Sequence, residues 1–347
     1  MNGEYDVSRE RDLANRFELV RAGNLPKNFK NSLKWHLHPW KEREELVEFW
    51  AMYGHMKWTG HLTMDDLIAD ILKRSLVDIY FNVVRYSAWD PVVVRQNHKD
   101  VGINKGRRAT DEFLVIDRSW HDIDAPDGAD DAYTDQELVA YRKFQNDLAV
   151  GDKSPVKIIA SGSGWHVYTL FDRTVDLETA ALIQDAIAIA YEFRMDAFVG
   201  VRRAQLLRIP YSMHHSGNWV IQVGPSMSIN SMRAAMRSPL EEGCHWVQDP
   251  PRVDPEKLLR TLGVDLLDIQ EFREKKAEMR RQKKFQAFLA DVKRVRQMME
   301  AGMTREEILE KTLMTKKRLS KIQDKLHMAD DELLPESLPV DLSKYST

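Results

Sequence analysis

In the first hundred residues, apolar positions recur mainly at helical spacing. Residues 41 to 53, KEREELVEFWAMY, form an aromatic amphipathic segment, and Thr63 with Asp66 makes a capping pattern before Leu67, Ile68, Ile71 and Leu72, which share one helix face. A β-rich signal follows in DIYFNVVRY (78 to 86) and PVVVR (91 to 95), where Pro91 suits a strand start. From residue 112 the pattern turns to strand, helix, strand. FLVID (113 to 117) is apolar, and Thr134 with Glu137 caps a helix whose Leu138, Tyr141, Phe144 and Leu148 fall on one side. VKIIA (156 to 160) and WHVYTLF (165 to 171) read as two strands flanking the turn SGSG. Asp176 opens LETAALIQDAIAIAYEF, apolar around most of its circumference and so expected to be buried. Short strands return at QLLRI (205 to 209) and WVIQV (219 to 223). The fold class expected is α/β in the broad sense (α+β), with helical segments at both ends.

The Pro-rich passage QDPPRVDP (248 to 255) reads as a boundary, after which helices dominate. One basic helix presents Phe285, Phe288, Leu289, Val292 and Val295 at helical spacing. In MTREEILEKTLMTKKRLSKIQDKL (303 to 326), Thr304 and Glu307 form a capping box and a second helix opens near Thr315. This spacing fits a helix-turn-helix or a plain helical hairpin. The organisation expected is a helical segment over 1–74, a core over 75–255, a helical domain over 256–329 and a Pro-punctuated tail over 330–347.

At 347 residues, 43% hydrophobic and 30% charged, the chain has the composition of a globular protein with a sizeable core. Its longest apolar runs fall short of the roughly 18 residues of a membrane span, and its N-terminal stretch lacks signal-peptide character. The expectation is therefore a cytoplasmic protein with no membrane partner. The single cysteine, Cys244, excludes an internal disulfide and a thiolate zinc cage within one chain, so no zinc is expected. Net charge is only −3, but residues 273 to 296 hold ten Lys/Arg against three Asp/Glu. That concentration suits a polyanion, and Arg280, Arg281, Lys283 and Lys284, with Lys316, Lys317 and Arg318 further on, are the nucleic-acid contacts expected.

The chemistry gathers between residues 117 and 218. Asp122 and Asp124 in WHDIDAP are two residues apart, so on a strand both carboxylates project from one face. Paired hard anions suit Mg²⁺ or Mn²⁺ when substrate phosphates supply further ligands. Asp117 on an unbroken strand would face the other way. Asp196 in FRMDAFVG is a third candidate carboxylate. Serines and glycines at 161 to 164 can turn successive backbone amides toward an anion, and His166 stands beside them. Arg202, Arg203 and Arg208 bring guanidinium groups suited to a triphosphate, ahead of the turn with Ser212, His214 and His215.

The order of these parts is paired aspartates, helix, Ser/Gly turn with histidine, long helix, aspartate, then Arg208-x-Pro210-x-Ser212-x-His214. Over roughly residues 75 to 255 it resembles the archaeo-eukaryotic primase superfamily, which includes primase small catalytic subunits and the primase-polymerases of archaeal plasmids and viruses. The resemblance implies an α/β module joined to an RRM-like module with the active site between them. It implies that Asp122, Asp124 and Asp196 are catalytic and hold two Mg²⁺ or Mn²⁺ ions. It implies that Ser161, Ser163, His166, Arg208, Ser212 and His214 bind the nucleotide. Its activity would be primer synthesis on single-stranded DNA from NTPs or dNTPs, with a helicase or large-subunit-like partner. The chain departs from the family in three places. Trp120 and His121 separate the apolar strand from the aspartates, HSGN stands where small subunits carry a Gly-Lys-Thr-Gly run, and there is no cysteine knuckle. Arg203 is a candidate to supply the missing cation, and the divergence suits a mobile-element protein.

Two other classes remain open. His36 and His38 in WHLHPW resemble the histidine pair of rolling-circle nicking endonucleases, with Tyr141 as the nucleophile such an enzyme needs. A non-catalytic replication initiator would bind DNA through the C-terminal helices alone.

Overall fold

The structure is a computed structural model that describes residues 47–53, 56–62, 77–82, 85–86, 114–125, 129, 131–194, 206–214, 217–237, 251–312 and 314–325. It divides into two units, Met1–Arg273 and Glu274–Thr347.

The first unit contains two antiparallel sheets. The smaller has the order β2-β1-β3-β8, from β1 (Val47–Tyr53), β2 (Met56–Leu62), β3 (Val77–Asn82) and β8 (Leu206–Arg208). The larger has the order β4-β5-β7-β6-β9, from β4 (Arg85–Tyr86), β5 (Leu114–Ile123), β6 (Val156–Ala160), β7 (Trp165–Val175) and β9 (Ile221–Gln222). The expected mixture of strands and helices is present, with every strand pairing antiparallel.

One expectation fails. Residues 47 to 53, read as part of a helical N-terminal segment, are β1, with Tyr53 paired to Met56 across a hairpin. Val47, Phe49, Trp50 and Tyr53 are all residue types that favour a pleated strand, and Gly54 follows at once. That local preference outweighs a helical spacing only a few residues long. The capping pattern at Thr63 and Asp66, and PVVVR, lie outside the described residues.

Two helices cover one face of the larger sheet. In α1 (Asp135–Asp147), Thr134 Oγ1 accepts from the Glu137 amide at 3.2 Å, so the cap forms as expected. In α2 (Leu177–Ala190), Asp176 Oδ1 accepts from the Thr179 amide at 2.7 Å, which holds the Asp176 carboxyl below its usual range. Tyr141 and Phe144 of α1 join Phe193, just beyond α2, and Trp165 of β7 in an edge-to-face aromatic cluster, with centroids 4.8 to 5.8 Å apart. Rings in this arrangement contribute beyond their buried area, and the cluster locks α1 onto the sheet. From α2, Asp185 meets Arg273 Nε at 2.6 Å. Two further helices follow, α3 (Ile229–Arg237) and α4 (Pro255–Leu262); Asp254 caps α4 and Gly263 ends it in a left-handed conformation. Among the described residues, no helix is long and apolar enough to cross a membrane.

The 35-residue helix α5 (Leu266–Glu300) enters the second unit at Glu274. There α6 (Arg305–Thr312) and α7 (Lys316–Gln323) form a small core from Ile308, Leu319 and Ile322 with Val292 and Val295 of α5. Of the five apolar residues expected inside the basic helix, only Val292 and Val295 are fully buried; Phe285, Phe288 and Leu289 are half-buried. A partner core this small covers a narrow stripe.

Candidate active site

Alternation along β5 places Arg118, Trp120 and Asp122 on one face and Ser119, His121 and Ile123 on the other. The helices take the second face. His121 Nε2 lies 2.9 Å from the Gln184 carbonyl oxygen of α2, and its ring meets Phe193 edge-on at 4.9 Å. Gln184 also donates its side-chain amide to the Trp120 carbonyl oxygen. Asp122 therefore stands on the face away from α1 and α2. Across the sheet the register pairs Asp122 with His166, His166 with Ile159, and Ile159 with Gln222. The neighbouring row is Trp120, Tyr168 and Lys157.

His166 is buried, and its Nε2 is 3.3 Å from Asp122 Oδ1. Its Nδ1 is 3.4 Å from the Tyr168 hydroxyl. Burial first, and the Asp122 charge second, push the Tyr168 phenol well above its usual range, so it keeps its proton and donates. Nδ1 then accepts and the Nε2–H faces Asp122, which fixes the ring's orientation and tautomer. Asp122 itself is only partly buried. Asp124 is exposed and lies one residue beyond the end of β5, where Arg194 donates to its carbonyl oxygen. Arg194 Nε also meets Glu137 Oε1 at 2.6 Å, and Glu137 Oε2 accepts from Trp165 Nε1 at 3.1 Å. This chain of contacts ties the exit of β5 to α1. Asp117 sits at a register irregularity of β5, buried, with Oδ1 2.8 Å from Arg118 Nε.

The turn at 161 to 164 closes β6 onto β7 through Ser161 N–H donating to Gly164 O at 2.8 Å. Gly162 has φ +112°, and a Cβ there would lie 2.5 Å from His214 Cγ. Only glycine lets the buried His214 ring approach so closely. The Gly162 amide donates to the Tyr133 hydroxyl at 3.1 Å. A nest of free amides was expected here. Instead, the Ser161 and Gly162 amides are committed to holding the turn. Ser161 O accepts from Arg208 Nη1 at 3.0 Å, so a residue of the smaller sheet reaches the turn, while the same guanidinium lies 4.8 Å over the Tyr80 ring. Beyond Arg208, the buried Tyr211 has φ +64°, an outlier for a bulky side chain of the kind that collects at functional sites. Ser212 is buried and its hydroxyl donates to Ile209 O at 2.6 Å.

The structure thus brings together Asp122, the turn with Ser161 and Ser163, His166, Arg208 and His214, with Ser212 on the loop between the last two. Asp196, Arg203, His36 and His38 lie outside the described residues. Tyr141 is fully buried in the aromatic cluster and its phenol is raised far above its usual range by burial. That placement removes it from the role of an exposed nucleophile. Among the described residues, no group of three or more His, Cys, Asp or Glu gathers to hold a metal. Two carboxylates, Asp122 and Asp124, do stand at the end of β5, with oxygen chemistry suited to a hard divalent cation.

Four neighbours escaped the sequence reading: Tyr133, Tyr168, Gln222 and Lys157. Gln222 is buried with its Oε1 unpartnered. Lys157 is buried, and burial pushes its ammonium down to about 8. A lysine inside the otherwise apolar VKIIA was the visible sign. Below pH 8 both folded and unfolded chains hold this proton, so the burial penalty is fully present. Between about 8 and the ordinary 10.5 the unfolded chain holds more protons, so stability rises with pH. The Lys157→Met protein is expected to be more stable at pH 7 by up to about 3 kcal/mol and to lose that rise. Urea melts at pH 7 and 10 measure both; parallel pH slopes in parent and variant would contradict the assignment.

No protein-family model matches the chain, and no curated protein matches it in sequence. Solved structures do match. The AEP domain of the cyanophage S-2L primase-polymerase is 12% identical with TM-score 0.38, over 65% of this chain and 94% of that one. The primase RepB' is 8% identical with TM-score 0.35, over 90% and 95%. The polymerase domain of Mycobacterium tuberculosis ligase D, solved in complex with DNA, is 14% identical with TM-score 0.31, over 66% and 75%. These are structural matches, at low identity, with a primase-polymerase domain, a primase and a polymerase domain.

Proposed function

We propose that this chain is a primase-polymerase of the archaeo-eukaryotic type, which joins nucleotides from nucleoside triphosphates on a single-stranded DNA template. The observation that carries this reading is the pairing of Asp122 with His166 on adjacent strands, next to a turn that Arg208 and His214 both touch. A carboxylate beside an imidazole, a guanidinium and two serines is an arrangement for a substrate carrying both metal and phosphate. Arg208 would neutralise the triphosphate and hold it in line, and His166, its tautomer set by Tyr168, would donate to a phosphate oxygen. Tyr133 would keep the turn in shape behind them. Mg²⁺ or Mn²⁺ held by Asp122 and Asp124, with Asp196 as third carboxylate, supplies charge neutralisation and lowers the pKa of an attacking 3′-hydroxyl. Arg203 would add a second guanidinium. The catalytic core expected over residues 75–255 would extend back to β1 and β2, which complete the smaller sheet, and its two modules would correspond to the two sheets. Arg280, Arg281, Lys283 and Lys284 of α5 would contact template phosphates, and Glu278 pairs with Arg281 there at 2.8 Å.

Incubating the full chain with unprimed single-stranded DNA, labelled nucleotides and Mg²⁺ or Mn²⁺ tests the reading. Short labelled products that require both template and divalent ion are expected, and they should be lost with chelator. A covalent phosphotyrosyl adduct with nicked DNA, or no incorporation with either ion, would overturn it. Running NTPs and dNTPs separately shows which sugar the site accepts.

A further inference from the structure

The second unit has a charge and a shape of its own. Between Glu274 and residue 325 there are sixteen Lys/Arg against eight Asp/Glu, in a chain whose net charge is −3. Its core is the meeting point of three helices. Ile308 of α6 packs with Leu319 and Ile322 of α7 and with Val292 and Val295 of α5, and Met303 and Met314 close the edges. The two short helices are sharply delimited. The Thr304 amide donates to Glu307 Oε2 at 2.7 Å while the Glu307 amide donates to Thr304 Oγ1 at 3.3 Å, and Thr315 Oγ1 accepts from the Arg318 amide at 3.2 Å. Only residues 313 to 315 separate α6 from α7. Two eight-residue helices, a three-residue connection and a third helix sharing their core have the element lengths and shared core of a helix-turn-helix scaffold.

On such a scaffold the informative surface is the outer face of α7. Leu319 and Ile322 point inward, so the opposite face carries Lys317 and Ser320, with Lys316 and Lys321 on its flanks and Asp324 at its C-terminal end. Arg318 faces back toward the long helix, its Nε 2.7 Å from Asp291, and so anchors α7 to the scaffold. The Lys321 ammonium lies 5.9 Å over the Phe288 ring of the long helix, so its charge too is turned back toward the scaffold. The composition of the unit also separates duplex from single strand. Proteins that grip single strands stack bases on exposed aromatic rings. Here the aromatic residues between 274 and 325 are Phe285 and Phe288, both half-buried, and Phe288 packs against the core. A slim convex helix with lysines and a small hydroxyl on its outer face instead fits a major groove, about 12 Å wide.

We propose that the second unit docks on double-stranded DNA with α7 in the major groove, Lys316 and Lys317 on backbone phosphates and Ser320 at base edges. This goes beyond the polymerising role, because it gives the same chain a way to recognise a duplex address.

The test uses the full chain without nucleotide or divalent ion; template gripped by α5 adds single-strand binding in this assay, so the α7 variants are read on the duplex, and the primase reading is tested separately by nucleotide incorporation. Fluorescence anisotropy compares a random-sequence 20-base-pair duplex with either of its single strands across a salt series, and a randomised duplex pool is put through rounds of selection. The duplex is expected to bind at least about tenfold more tightly than the single strands at physiological salt, and the pool to converge on a site. Replacing Lys316 and Lys317 together by alanine should lower the salt slope for the duplex by about two, whereas the Lys316→Arg/Lys317→Arg pair should keep it. Circular dichroism confirms that each variant keeps its helices. Equal binding of single strand and duplex, a pool that does not converge, or the same slope loss in both double variants would overturn the proposal.

Discussion

The Asp122→Ala protein is expected to fold as the parent does and to synthesise primers about 10²- to 10³-fold more slowly, the loss typical when a group that stabilises transition-state charge is removed. Folding should survive because the Asp122 side chain is partly open to solvent and, among the described residues, meets His166 by a 3.3 Å contact. Removing it leaves no large cavity; the His166 Nε2–H loses its carboxylate, while Nδ1 keeps its contact with Tyr168. Asp122→Asn separates shape from charge: it preserves volume and should fail nearly as badly. His166→Ala should instead raise the KM for nucleotide more than it lowers kcat, because its proposed role is to hold phosphate. The measurement is single-nucleotide extension at saturating and limiting nucleotide, alongside a thermal melt. Parental rates from a folded Asp122→Ala protein would remove the carboxylate from the chemistry.

The second large effect is expected at Gly162. Alanine there puts Cβ 2.5 Å from His214 Cγ and 2.6 Å from its Cδ2, at a φ of +112° that side chains rarely adopt. His214 is buried and its amide is bonded to Asn218 O at 2.8 Å, so it has little room to retreat. Either the turn opens, losing the Tyr133 and Arg208 contacts, or His214 swings out. Backbone strain alone is worth about 1–3 kcal/mol, and the clash adds to it, so a fall in melting temperature of several degrees is expected together with loss of nucleotide binding. Gly151→Ala is the matched control. Its φ is +64° and a Cβ there meets nothing within 4 Å, so it should lose a little stability and no binding. Indistinguishable melts and affinities for the two variants would show that the turn does not depend on this contact.

What could be read from the sequence is uneven for physical reasons. The hairpin of β6 and β7, the caps at Thr134, Asp176, Thr304 and Thr315, and the Ser/Gly turn were all legible, because each is decided by a few adjacent residues. β1 was misread because aromatic residues at mixed spacing suit either element, and the choice was made by pairing with β2 and β3, far along the chain for β3. The place of β7 between β5 and β6, which brings His166 opposite Asp122, is likewise a long-range fact. So is the path from Trp165 through Glu137 and Arg194 to Asp124, since nothing at position 137 or 194 alone announces a partner. The amide nest was over-read: the glycines predicted the turn, but not that Tyr133, some thirty residues earlier, would take up one of its amides.

The clamp that α2 places on β5 has a consequence for how the protein fails. Gln184 grips the Trp120 carbonyl with its side chain and receives His121 on its own carbonyl, so the strand segment just before Asp122 is sewn to a buried helix. Its ordering entropy is therefore spent during folding rather than when substrate arrives. On heating, this strand segment is expected to lose its order together with the central sheet and α2, as a single cooperative event.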